Sequence, residues 1–321
     1  MAFKPPAPTK PGLWRRTPPA LFPAIMGLFG LGLAWRRATE VAGVPAGIGE
    51  AILGAVTLLY LFALLAYCGK MFRRPAVIVE ELRILPGRAG VGAMVLCLYL
   101  LSLTFVPYAS EVALGLLFAA FTVHGALVLL LIYVFATGPA EQRRVTPVWH
   151  LNFVGFIIGG LAANALEFYG TAFIILGVTA LIAVAIWAIS ADQLVKETVP
   201  APLRPLLAIH VAPAALLGLV AYGFEFHSVA HVFAALAAIL VASLAARAVW
   251  VVAAGFSPLW GALTFPAAAT ASLWLALGGI WHWPGVGLLA LTTLAIPVIA
   301  FRILRLWAGG QLAVKTNAAT A

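Results

Sequence analysis

The chain has 321 residues, 64% of them hydrophobic and only 9% charged, where soluble domains carry about a quarter charged residues. No water-soluble core of this size can hide so much apolar surface, so the solvent is lipid. The formal charge of +9 is distributed by topology and is no sign of a nucleic-acid partner.

Residues 1–17, MAFKPPAPTKPGLWRRT, are basic and proline-rich and read as a short disordered cytoplasmic tail. They are not a signal peptide, because no small-residue cleavage site follows the first apolar run, which continues into a full span. A membrane helix needs roughly 20 apolar residues. Ten segments meet that requirement, near 19–36, 47–70, 86–106, 111–136, 148–167, 171–190, 205–225, 228–252, 258–279 and 285–307. Residues 18–308 therefore read as one all-α polytopic membrane domain, and 309–321 as a second cytoplasmic tail. With the N-terminus inside, 17 of the 19 Lys and Arg residues fall on the cytoplasmic side, and only Arg36 and Arg37 lie outside. One helix more or fewer would scramble this asymmetry.

Even-numbered segments are bulky, as in AILGAVTLLYLFALLAYCG, Ala51 to Gly69. Odd-numbered ones are thin or interrupted. The first carries Pro23 in its opening turns. The fifth reads HLNFVGFIIGG, with Asn152 and Gly155. The seventh holds Pro213 near mid-membrane. The ninth contains GALTFPAAATAS, Gly261 to Ser272, in which nine of twelve residues are Gly, Ala, Ser or Thr. In that stretch Phe265, between Thr264 and Pro266 and before Ala268, is the one large ring. Proline removes a helical hydrogen bond, and broken backbone is tolerated in a membrane where it is buried in protein or faces a watery cavity. Small residues also permit close helix packing. Their recurrence on every second helix favours a central lumen, with odd helices inside and even helices outside. The small residues around Phe265 leave no other bulk to block that lumen.

No odd helix has an acidic or basic residue near its midpoint. A lumen of small side chains and kinked backbone offers N–H groups and helix N-termini to an anion, weakly enough for passage. Four of the six histidines, His124, His150, His210 and His231, lie in or near spans. None is spaced i, i+4 from another in those spans and none has an acid beside it, so each reads as a packing or interfacial residue. Cys68 and Cys97 suggest neither a disulfide framework nor a metal site. No cofactor motif, metal motif or nucleophile with a placed base is present, which counts against an intramembrane enzyme. A proton-coupled carrier would need a titratable group at its site, and the sequence places none there.

Five stretches in order, FPAIMGLFGLGLAW, HLNFVGFIIGG, LRPLLAIHVAPAALLGLVAY, WGALTFPAAA and LRLWAGGQL, resemble the tellurite-resistance/dicarboxylate transporter family. That family includes bacterial TehA and the plant slow anion channels. The resemblance implies ten helices in five hairpins, a central pore in each subunit of a homotrimer, and a bacterial inner membrane location with both termini cytoplasmic. It implies passage of small inorganic anions with Phe265 as the pore gate, or alternatively of dicarboxylates such as malate, or of tellurite or sulfite. Many members have proline near Asn152, whereas this helix keeps its N–H group there and gains an amide; Asn152 and Gly155 are the candidates for lining the pore or kinking the helix at this point.

Cysteines introduced at Ser110 and Lys315 should label from opposite faces of the membrane. Labelling from one face would refute the ten-span count.

Overall fold

The computed structural model describes residues 12–321. Most of the basic N-terminal tail, residues 1–11, lies outside the described residues. Among the described residues nine helices are long and apolar enough to cross a membrane, and a further apolar helix is shorter. In chain order we label them α1 (Pro19–Ala42), α2 (Ala46–Arg73), α3 (Leu85–Phe105), α4 (Ser110–Thr137), α5 (the shorter helix, His150–Ala165), α6 (Tyr169–Lys196), α7 (Ala201–Gly223), α8 (His227–Ala246), α9 (Pro258–Leu277) and α10 (Gly279–Ala308). The ends of the chain support ten crossings: the amide of Ala321 donates to the carbonyl of Arg15, so both ends meet on one face.

Burial divides the helices into two rings. Within the most apolar stretch of each, 72, 83, 83 and 78% is buried in α1, α3, α7 and α9, against 33, 28, 28, 17 and 28% in α2, α4, α6, α8 and α10. Leu58, Leu129, Leu181 and Leu294 stand exposed on outer helices, the apolar face that lipid requires. Each inner helix packs on the outer helix that follows it, giving five hairpins. The inner ring closes in chain order, α1 on α3, α3 on α5, α5 on α7, α7 on α9, and α9 back on α1.

Irregular backbone is concentrated where the inner helices begin. In α1 a 3-10 turn, Pro19–Leu21, precedes the α-helical part. In α7 the 3-10 stretch is longer, Ala201–His210, and α geometry starts at Val211 with Pro213 in its first turn. In α9 the 3-10 stretch is Pro258–Leu263, followed by Thr264 with Pro266 in the first turn. Proline fits there because first-turn N–H groups have no intrahelical acceptor. The fifth helix is interrupted without a proline. It contains a π turn, His150–Val154, although no proline stands at Asn152. The sequence signal for this break is Gly155, where a methyl group would press on the Leu151 carbonyl and the Leu96 side chain.

Interior carbonyls of the inner helices receive side-chain donors from their neighbours. Tyr60 of α2 donates to Met94 O at 2.9 Å, Trp187 of α6 to His210 O at 3.1 Å, and Thr264 of α9 to Pro23 O at 3.2 Å. His124 of α4 bonds Asn152 O through Nε2 at 3.0 Å, which makes that nitrogen the donor and leaves Nδ1 to accept from Tyr99 at 3.2 Å. His124 is thus a packing histidine, stacked on Phe156.

The sparse charges hold the ends together. Arg36, at the far end of α1, pairs with both carboxylate oxygens of Glu50 and donates to the carbonyls of Leu103 and Thr104 at the end of α3. That is a cation satisfying a helix C-terminus. On the opposite face Lys70 meets Glu81 at 2.6 Å, both fully buried. Glu81 lies on a short helix, Val77–Arg83, that hydropathy did not reveal. Lys70 also donates to Thr17 O, and the amide of Ala319 donates to Glu81. The C-terminal tail, 309–321, is therefore docked, with a short helix, Gln311–Lys315, burying Leu312 and Ala313.

Removing one member of this buried pair strands a charge, which costs about 3–5 kcal/mol. Glu81→Ala should lower the unfolding temperature in detergent far more than the double replacement Lys70→Met with Glu81→Leu. Equal losses would show that the pair is not what holds this corner.

Candidate functional site

Two cavities lie on the axis of the inner ring. The first, a vestibule, opens toward the face where the inner helices begin. It is bordered by Ala20 and Pro23 of α1, Pro86 of α3, Leu206 of α7, and Pro258 and Gly261 of α9, among other apolar residues. It offers about 30 Å³, room for the centres of a water or two. The second, an inner chamber of about 20 Å³, is bordered by residues of the same five helices, including Leu96, Val154, Gly155 and Pro213. Five residues border both cavities and form the partition: Met26, Leu151, Ile209, Ala212 and Phe265. Phe265 is the largest of them and is only 5% exposed. Among the described residues no charged side chain borders either cavity, and His150 is the one titratable residue on the chamber wall.

The backbone explains how the ring reaches this position. Phe265 occupies the second residue of the α-helical part of α9. Its ring lies against Gly30 of α1, where a β-carbon would come within 2.9 Å of Cδ2. One turn earlier, a methyl on Gly27 would collide with the Thr264 hydroxyl. The glycines of α1 thus bring α9 close enough for the ring to sit at the axis.

The residues singled out in the sequence separate into two groups. Phe265, Pro23, Pro213, Pro266, Gly261 and Gly155 border the axial cavities. Thr264, Ala268 and Asn152 do not. Thr264 is buried in the α1–α9 contact and bonds Gly261 O at 2.7 Å. Ala268 is buried against Gly30. Asn152 is fully buried, donates to Val148 O, and points its Oδ1 at Gly92. Close packing, the competing explanation for small residues, accounts for these three. The expectation that Phe265 alone supplies bulk is corrected as well. Met26, Leu151 and Ile209 narrow the same plane from α1, α5 and α7, helices that one segment read by itself does not reveal.

Sequence spacing also missed a pair of histidines. His150 Nε2 and His210 Nδ1 lie 2.9 Å apart, joining the π turn of α5 to the 3-10 stretch of α7. They are 60 positions apart, so no local pattern could join them. Each marks an irregular stretch, and that was the only available signal.

A family model described as "voltage-dependent anion channel" matches residues 16–304. The chain belongs to this family. No individual curated protein matches it significantly. The match runs from the segment before α1 to the last turns of α10 and includes every residue bordering the axial cavities. It agrees with the resemblance carried by the first four sequence motifs, the fifth lying almost wholly beyond the matched residues. As a member of the voltage-dependent anion channel family, the protein is a multi-pass membrane protein of the anion channel and transporter class. That class leaves the intramembrane-enzyme alternative without support.

Proposed function

We propose that the chain passes small inorganic anions, such as chloride or nitrate, along the axis of its inner ring, and that Phe265 closes the path. The observation carrying this reading is the partition: two uncharged axial cavities separated by a layer in which Phe265 is the largest group. A narrow apolar constriction stops ions by denying them hydration. Without carboxylates the path does not suit cations. The inner helices all begin on the vestibule side, so the positive ends of their dipoles favour an anion there. The chamber, at about 20 Å³, has no room for a malate-sized dicarboxylate as it stands, which favours small anions. A carrier of dicarboxylates or of oxyanions such as tellurite or sulfite is the second reading, favoured by the titratable His150 on the chamber wall. Saturation of flux with concentration would select it.

The basic residues argue for both termini in the cytoplasm, and the family resemblance for a bacterial inner membrane and a homotrimer, one pore per chain. Native mass spectrometry in mild detergent should then give a three-chain species; monomers or dimers alone would count against that assembly.

Phe265→Ala should raise resting anion current sharply, with the reversal potential in asymmetric chloride moving toward the chloride equilibrium value. Because Met26, Leu151 and Ile209 share the plane, adding Ile209→Ala should raise it further. If Phe265 only fills a core, the truncation costs about 3–5 kcal/mol of stability and yields less protein with no gain of current. Current per folded protein separates the two. An unchanged current from well-folded variant, or a reversal potential tracking the cation, removes the reading.

A further inference from the structure

The His150–His210 pair bridges two kinds of space. On one side His150 borders the inner chamber beside Phe265. On the other, His210 borders two lateral cavities of about 310 and 470 Å³ that flank α6 and α7 on the face where both chain ends meet. Both rings are almost completely buried, at 2% and 6% exposure. Their facing nitrogens are bonded to each other, while the two outward ones, His150 Nδ1 and His210 Nε2, have no protein partner. A neutral pair of this kind has one donor and one acceptor in the shared bond and one free nitrogen at each end. Two further polar atoms without partners, Thr146 Oγ1 and Ser190 Oγ, belong to residues bordering the same lateral cavity as His210. Each of these three atoms is buried without a protein partner at the edge of one roomy cavity, the setting in which a water drawn from that cavity would satisfy it.

We propose that His150 and His210 form a proton-accepting pair that takes its proton from the lateral cavity and, once charged, holds a small anion in the inner chamber. The proton moves without loss of atoms. A hydronium ion reaching the lateral cavity gives a proton to the lone pair of His210 Nε2 and is left as water. The proton on His210 Nδ1 passes across the 2.9 Å bond to His150 Nε2, leaving the positive charge on His150 at the chamber wall. An anion in the chamber holds the charge there. When the anion leaves, the proton returns by the same bond or departs from His150 Nδ1.

The surroundings fit a pair that is neutral at rest and needs an anion to stay charged. From α6 the neighbour is Trp187, whose indole is committed to His210 O. The carboxylate of Glu197 borders the lateral cavities but is paired with Arg144 at 2.6 Å. α8 brings Arg247 to the larger cavity, α4 brings His124, committed to Asn152 O, and α1, α3 and α9 bring Met26, Leu96 and Phe265 to the chamber. No carboxylate borders the chamber to serve as a fixed counter-ion. The inference rests on the axial cavities being the anion path, and it supplies what a proton-coupled carrier or a pH-dependent channel needs at its site.

By linkage, an anion that prefers the charged pair raises its titration midpoint, and a tenfold preference appears as about one pH unit. The test uses the full chain in lipid nanodiscs with ¹⁵N-labelled histidine, titrated in chloride and in gluconate at equal ionic strength. The imidazole signals lost in His150→Gln and in His210→Gln should titrate together between about pH 4.5 and 8, with a higher midpoint in chloride. Either variant identifies the pair, because each loss also shifts the partner's signal, so one that fails to fold does not block the assignment. Signals that do not titrate in this range, or the same midpoint in both salts, would overturn the proposal. A chloride-dependent midpoint with no current in Phe265→Ala would uphold the pair as an anion site while removing the gate.

Discussion

The structure is governed by one constraint: in hydrocarbon, every backbone N–H and C=O must find a partner inside the protein. Most outer helices meet it with long regular α-helix, α10 being the exception with its opening 3-10 turn and Pro297. Four of the five inner helices do not, because 3-10 and π stretches interrupt α1, α5, α7 and α9. Those stretches are tolerable only behind a complete outer ring. The outer ring also contributes chemically, since Tyr60, His124 and Trp187 turn inward and donate to inner carbonyls. A hairpin is therefore a functional unit in which the outer helix shields and partly satisfies a neighbouring irregular inner helix.

This division was legible in the sequence because it changes composition. Bulky, Leu-rich helices alternate with thin, proline-containing ones, and the charges between them fix the count. The family could be read for the same reason: four of its five motifs lie on the inner helices, where geometry restricts side chains most. What could not be read depends on contacts between distant segments. Thr264, Ala268 and Asn152 carry the same small or polar character as the cavity-lining residues, and only the approach of α1 and α3 turns them into packing residues. The sequence leaves open whether α5 breaks, because the proline that many other members carry is absent and a glycine at the end of the π turn takes its place. His150 and His210 were read singly as packing histidines because nothing in either segment points to the other.

The few charged contacts serve the same architecture. Arg36 and Glu50 close the far ends of α1 and α3, and Lys70 with Glu81 gathers the N-terminal segment, the α2–α3 loop and the C-terminal tail. Each pair is partly or fully buried at the edge of the bundle, where broken geometry would leave a charge unmatched.

The closure of the inner ring at α1 and α9 has a mechanical consequence. Gly27 and Gly30 let these two helices touch with almost no side chain between them, and Phe265 lies in that seam. Pulling α9 away from α1 would expose interrupted backbone and unmake the ring. For the gate proposed above, this leaves the phenyl ring, turning about its side-chain bonds beside Gly30, as the part with least to break by moving. The height of such a proposed barrier would then depend on the rotamers open to Phe265 and on the room that Met26, Leu151 and Ile209 leave for it.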